Sequence, residues 1–147
     1  MHPRRKARIG VLEAVYAESQ IHEKPEKILK DVFLRDEYGN GNKEFIRTLF
    51  LETISQTDEC DKLIDGYLKN WKFNRIALLD KLILRMAITE MIFINDTPPK
   101  VVISEAIEIA KEYSTEESSS FVNGILDTVY KHSKLKKIET GKSRLMK

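Results

Sequence analysis

The sequence predicts an all-α fold, a single-domain bundle of about seven helices, and three observations carry that prediction. Apolar residues recur at helical spacing along most of the chain, and no convincing run of alternating β-branched residues appears. Only 6 Gly and 4 Pro interrupt the 147 residues. The length suits one domain that buries an ordinary core without disulfide or metal staples. With 41% hydrophobic residues, a disordered, collagen-like or disulfide-framework chain is excluded.

The first helix starts near Pro3, a tolerated first-turn residue, and runs to about Gln20 with Ile9, Leu12, Val15, Tyr16 and Ser19 on one face. A second begins around Pro25 and carries Ile28, Leu29, Val32 and Phe33. Gly39-Asn40-Gly41-Asn42 reads as a turn and the clearest break in the chain. A third helix presents Phe45, Ile46, Leu49, Phe50 and Ile54. Thr57 or Asp58 can cap a fourth, with Cys60, Leu63, Ile64, Tyr67 and Leu68 inward.

Trp71-Lys72-Phe73-Asn74 reads as a short connector whose aromatics return to the core. The central helix is expected over roughly Arg75 to Ile94, before Pro98 and Pro99 enforce a stop and a restart. The next helix offers Val102, Ile103, Ala106, Ile107 and Ala110. Ser114-x-x-Glu117 has capping-box spacing and marks the start of a last helix, to about Ser133. Its buried stripe is Val122, Ile125, Leu126 and Val129, with Phe121 at the edge. Gly124 within it costs about 1 kcal/mol relative to Ala, so either a neighbour or a partner approaches there or the cost is tolerated. Residues 1–138 are expected to form the folded domain and 139–147 a basic, disordered tail.

Cys60 is the single cysteine, which leaves no internal disulfide and points to a reducing cytoplasm. The basic N-terminus lacks the apolar run of a signal peptide. Ile76 to Ile94 is mostly apolar, yet Asp80, Lys81, Arg85 and Glu90 would each be costly in a bilayer. It reads as a core helix, and no membrane span is expected.

Catalytic chemistry finds little support. The histidines His2, His22 and His132 are scattered, so no metal site is expected. Glu105, Glu108 and Glu112 recur at one-turn spacing and read as a solvated helix face. Gly39-Asn40-Gly41 lacks the Lys-Ser/Thr of a phosphate loop. Ser118-Ser119-Ser120 has no evident partner base. The expectation is a non-enzyme without a cofactor.

Charge is the informative feature. The net charge is only +2, but residues 1–8 carry +4 and residues 131–147 carry +6, leaving −8 between them. Basic ends on an acidic body argue for an anionic partner. Arg4 and Arg8 share a helix face, and Arg5, Leu12 and Tyr16 fall nearly in line. Arginine clusters beside aromatic platforms are what single-stranded RNA recognition uses. The bland alternative makes Tyr16 ordinary core and the arginines an aid to solubility.

Several of these residues also carry a family resemblance. Arg4-Arg5-Lys6-Ala7-Arg8 leading to Ala14-Val15-Tyr16 resembles the opening helix of the NusB family. The likeness continues through Trp71, Asn74-Arg75, Leu84-Arg85-Met86-Ala87 and Glu90. It is strongest in Val102-Ile103-Ser104-Glu105-Ala106-Ile107-Glu108-Ile109-Ala110-Lys111 and Phe121-Val122-Asn123-Gly124-Ile125-Leu126-Asp127, and covers about residues 4 to 131.

The resemblance implies two packed antiparallel subbundles and a non-enzymatic transcription antitermination factor. Such a factor binds boxA RNA together with NusE, a protein of the small ribosomal subunit. The pair then joins NusA, NusG and RNA polymerase to promote read-through of ribosomal RNA operons. Carried over residue by residue, the resemblance implies RNA contacts at Arg4, Arg5, Lys6, Arg8, Tyr16, Glu117 and Phe121, with Phe121 as the stacker. It places Glu90 on the NusE-facing side. Some members of the family self-associate, so a homodimer is an open expectation. The chain departs from the family at Ser114, where many members have Gly, and at Ser120, where many have Lys or another functional residue. The basic tail lies outside the shared pattern.

Three other readings compete. A stand-alone helical domain could act with a separate ribosomal-RNA methyltransferase, because this chain has no glycine-rich strand–helix unit for a methyl donor. A helix-turn-helix DNA regulator would need an exposed basic recognition helix, whereas the internal helices are acidic or buried. A purely protein-binding scaffold remains open.

Overall fold

The structure is a computed structural model that describes residues 2–68 and 73–145, with side chains through Ser133. Among the described residues seven α-helices follow one another: α1 (Pro3–Ile21), α2 (Pro25–Arg35), α3 (Asn40–Ser55), α4 (Thr57–Tyr67), α5 (Leu78–Ile88), α6 (Pro99–Tyr113) and α7 (Glu116–Leu145). A 3-10 turn, Phe73–Arg75, precedes α5, and a π-helical segment, Thr89–Ile94, follows it. No strand occurs among the described residues. The all-α prediction is met.

Prolines set three helix starts. Pro3, Pro25 and Pro99 each occupy the first turn, where the missing N–H is not needed and φ is already helical. Elsewhere the boundaries differ from expectation. Gly39 is the N-cap of α3, and Asn40-Gly41-Asn42 form its first turn, not a loop. No glycine among those described has positive φ, so the pair of glycines there enforces no turn geometry. Gln56, not Thr57 or Asp58, precedes α4, and the Thr57 hydroxyl donates instead to the Thr53 carbonyl at 3.0 Å. The cap of α7 is shifted by one residue from the Ser114 prediction. Thr115 Oγ1 accepts the Ser118 N–H at 3.0 Å, which satisfies an otherwise unpaired donor of the first turn.

The expected central helix is broken into three parts. Ala77 precedes α5, and after Ile88 the backbone widens until the Asn95 N–H bonds the Glu90 carbonyl, five residues back, at 2.9 Å. Asn95 closes the segment in the left-handed region at φ 59°. A π-turn re-aims the side chains around it and recurs at functional sites; here it carries Glu90. The Phe73 part of the predicted connector packs against the core, whereas Trp71 and Lys72 lie outside the described residues. α7 continues past the expected end at Ser133.

The helices pack as two groups. α1, α2 and α3 contact one another, α4 through α7 form the other group, and α1–α5 and α3–π-segment contacts join them. α5 sits at the junction. Leu82, Ile83, Leu84, Met86, Ala87 and Ile88 are all buried, which explains its apolar run without a membrane. No helix among the described residues is long and apolar enough to cross one. The predicted stripe of α7 is buried as well: Val122, Ile125, Leu126 and Val129. Each such side chain contributes roughly 1.5–3 kcal/mol by leaving water. Arg85 ties α5 to α4 through a two-bond contact with Asp61, at 2.7 and 2.9 Å.

Candidate nucleic-acid interface

The basic start of α1 fans out. Successive helical residues are rotated by about 100°, so Arg4 and Arg8 face α3 and the π-segment, Arg5 faces α6, and Lys6 faces the α2–α3 connection. Arg8 donates Nε to one oxygen of Glu90 at 2.9 Å and Nη2 to the other at 2.7 Å. The two side chains are only 6% and 2% exposed. Arg5 makes the same fork to Glu105, at 2.7 and 3.1 Å, but is one-third exposed. Lys6 Nζ lies 2.8 Å from Asp36 and donates to the Glu37 carbonyl at 2.9 Å. Arg4 forms no ion pair among the described residues; its guanidinium stands over the Phe45 ring at 4.2 Å, and that of Arg8 at 5.3 Å.

These pairings change the electrostatics that the sequence suggested. Three of the four N-terminal cations already face carboxylates from distant elements. The hydrogen bond from Arg5 holds the Glu105 carboxyl below its usual range, against the opposing effect of partial burial. Lys6 and the Glu37 N–H do the same to Asp36. Arg5 and Lys6 remain accessible and can exchange partners, whereas Arg8 is locked inside. The reading of Glu105 as part of a solvated face is corrected, since Arg5 caps it, while Glu108 and Glu112 are exposed.

Above the Arg8–Glu90 pair lies a groove of about 680 Å³, whose walls include His2, Arg4 and Phe45 together with the carboxylates Glu44, Asp96 and Glu105. A second groove of about 330 Å³ sits at the start of α7, between Phe121, Glu117, Ser118, Arg75, Thr115 and Asp80. Phe121 is half-buried and packs against the core. Arg75 is exposed and forms no ion pair among the described residues. Asp80 is buried; Ser118 Oγ donates to its Oδ2 at 3.0 Å, and its Oδ1 has no donor among the described residues. A buried acceptor of this kind carries a desolvation cost until a donor reaches it.

The structure therefore gathers Arg4, Arg8 and Glu90 at one groove, and Glu117 and Phe121 at another. Arg8 and Glu90, assigned to an RNA and a protein partner respectively, turn out to neutralise each other. Tyr16 lines neither groove and is 45% exposed, so the reading of it as ordinary core does not hold. Sequence reasoning missed Phe45, Tyr38, Asp36 and Arg75. Phe45 was indistinguishable from its core-facing neighbours. Asn74-Arg75 stood within the resemblance but had no partner in sequence to mark it as a site.

Catalytic alternatives gain nothing from the geometry. Ser118 bonds Asp80, Ser114 and Thr115, with no histidine beside it. Burial pushes the Cys60 thiol up to about 11, leaving it protonated and inert at neutral pH. Among the described residues no cluster of His, Cys, Asp or Glu is placed to hold a metal ion.

Fold and grooves together define a two-part all-helical domain with charged, aromatic-floored grooves at the starts of its first and last helices. Residues 2–131 match the NusB family. The chain is 42% identical over 134 residues to the transcription antitermination protein NusB of Chloroherpeton thalassium, covering 90% of this chain and 64% of that protein. Among solved structures, it is 41% identical to T. maritima NusB, with a TM-score of 0.79 over 88% of this chain and 92% of that one. It is also similar to NusB in a crystal structure of the antitermination factors NusB and NusE with double-stranded RNA (26% identity, TM-score 0.80, 90% of this chain and 98% of that one). The chain belongs to the NusB family.

Proposed function

We propose that this protein is a cytoplasmic, non-enzymatic transcription antitermination factor. It binds boxA RNA together with NusE and joins NusA, NusG and RNA polymerase on ribosomal RNA operons. The observation that carries this reading is the start of α1, where Arg4, in no ion pair among the described residues, lies on the Phe45 ring at the rim of the groove, with the exchangeable Arg5 and Lys6 on the adjoining faces of the helix. Phosphates of the strand meet Arg4 first and compete with Glu105 and Asp36 for Arg5 and Lys6. Such contacts provide salt-sensitive affinity without reading sequence. Base stacking on Phe121, with Arg75 on the adjoining backbone and Tyr16 as a further exposed ring, supplies preference for unpaired bases. Glu117 and the unbonded oxygen of Asp80 accept hydrogen bonds from base edges or from NusE. Arg8 and Glu90 act as positioning residues: they fix the N-terminal turn of α1 against the π-segment.

The related complex holds double-stranded RNA, so the test compares single-stranded boxA, the same strand annealed to its complement, and a scrambled strand by fluorescence anisotropy. The single strand is expected to bind tightest. Equal binding of all three would remove the base-stacking part of the reading and leave only charge attraction.

A further inference from the structure

A third groove, of about 590 Å³, opens between α2 and α3. It is lined by the buried Leu29, the half-buried Phe33 and the exposed Leu34, together with Lys30, Lys43 and Arg47. Glu26 is the one carboxylate lining it, and it pairs with Arg47 at 3.0 Å on the open surface. Lys43 and Arg47 lie one helical turn apart, and both stand over the Phe33 ring, at 5.8 and 6.0 Å. Phe33 meets Tyr38 edge to face at 6.3 Å, and Lys6 of α1 stands over Tyr38 at 5.2 Å. Cation–ring contacts, joined by the Phe33–Tyr38 ring pair, thus lead from Lys6 of α1 to this groove. α3 links the two sites from the other side: Phe45 and Thr48 line the α1 groove, while Lys43 and Arg47 line this one.

We infer that the α2–α3 groove is a second RNA subsite, holding the strand where it leaves the α1 groove. The inference rests on the RNA-binding reading above. Lys30, Lys43 and Arg47 take successive phosphates, and a base lies over Leu34, which is 75% exposed beside the Phe33 edge. Three cations against one carboxylate suit a polyanion. Aromatic rings flanked by cations form a surface that accepts any base, because every base has a π-face. An acidic amphipathic peptide would also meet these basic and apolar side chains. Continuity with Lys6 and the α1 groove favours the strand.

The test uses boxA RNA alone and boxA RNA lengthened by about eight nucleotides, at the 5′ or the 3′ end, a span within the range of single-strand sites. The variant is Lys30→Gln with Lys43→Gln and Arg47→Gln, all on the surface, with thermal unfolding to confirm the fold. For wild type, one of the two extensions is expected to tighten binding about tenfold and to steepen its salt dependence. Losing three phosphate contacts should then lower the slope of log affinity against log salt by about 2 for that RNA, with short boxA unaffected. An extension that adds no affinity, or a variant that weakens short and long RNA equally, would overturn the subsite. So would binding of an acidic amphipathic peptide that the variant abolishes while leaving the extended RNA untouched. If wild type binds no boxA RNA at all, the function proposed above fails first, a result separate from these.

Discussion

Arg8 and Glu90, 82 residues apart in sequence, form a buried two-bond ion pair that fastens the first helix to the π-turn beneath the α1 groove. The pair fixes where the N-terminal helix ends, and hence where Arg4, Arg5 and Lys6 are displayed. A buried pair of this kind contributes little net stability over an apolar isostere, but removing one partner strands a charge in the interior. Arg8→Ala or Glu90→Ala should therefore cost about 3–5 kcal/mol, and Arg8→Met combined with Glu90→Leu should recover most of it. Urea denaturation of the three variants checks this; single losses under about 1 kcal/mol would show the pair to be dispensable.

Under the proposed function, Glu105 competes with RNA for Arg5, which it holds through two hydrogen bonds. Glu105→Gln removes the competing charge and should raise RNA affinity a few-fold, most visibly at low salt. The same pairing has a pH signature. The Glu105 and Asp36 carboxyls are held below their unfolded values, so the stability they provide is present above about pH 4.5 and lost as pH falls through their folded values. Protonation frees Arg5 and Lys6, so RNA affinity should rise over that acidic window while the fold persists. Thermal melts and RNA titrations between pH 3.5 and 7, for wild type and Glu105→Gln, test both halves. An unchanged acid limb in the variant would refute the assignment.

Phe121 stacks bases in this account, and Arg75 grips the adjoining phosphate. Phe121→Ala should cost about 1–3 kcal/mol of affinity for boxA, and more for boxA than for a scrambled strand. Arg75→Ala should weaken both strands alike and lower the salt slope by about 0.7, as expected for one single-strand phosphate contact. An equal loss on both strands for Phe121→Ala would argue against stacking.

Gly124 has open space where a Cβ would stand, so no neighbour among the described residues requires a glycine at that position. Gly124→Ala should stabilise the fold by about 0.5–1 kcal/mol through lower backbone entropy in the unfolded chain. A denaturation midpoint shifted downward would reveal strain that the helix geometry does not show.

Much of the fold is legible because it follows from local rules. Pro3, Pro25 and Pro99 set helix starts, and the spacing of Val122, Ile125, Leu126 and Val129 sets a buried face. The π-turn is not legible, since its five-residue hydrogen bond leaves no pattern in Thr89–Ile94. Gly39-Asn40-Gly41-Asn42 misleads because its composition favours turns, while Gly39 serves equally well as a helix cap. Charge misleads for a different reason. Counting along the chain isolates the four N-terminal cations, but folding brings Glu90, Glu105 and Asp36 to three of them. Only Arg4 stays without a carboxylate partner among the described residues, and the ring beneath it, Phe45, is identifiable only once α1 and α3 are packed.

The central claim is that this chain holds a single RNA strand and does so better with NusE. Titrating labelled boxA RNA with the protein, with and without NusE, from low to physiological salt tests it most directly. The account predicts measurable affinity at low salt that falls steeply as salt rises, and a marked strengthening when NusE is added. Absence of RNA affinity at low salt, both alone and with NusE, would contradict it.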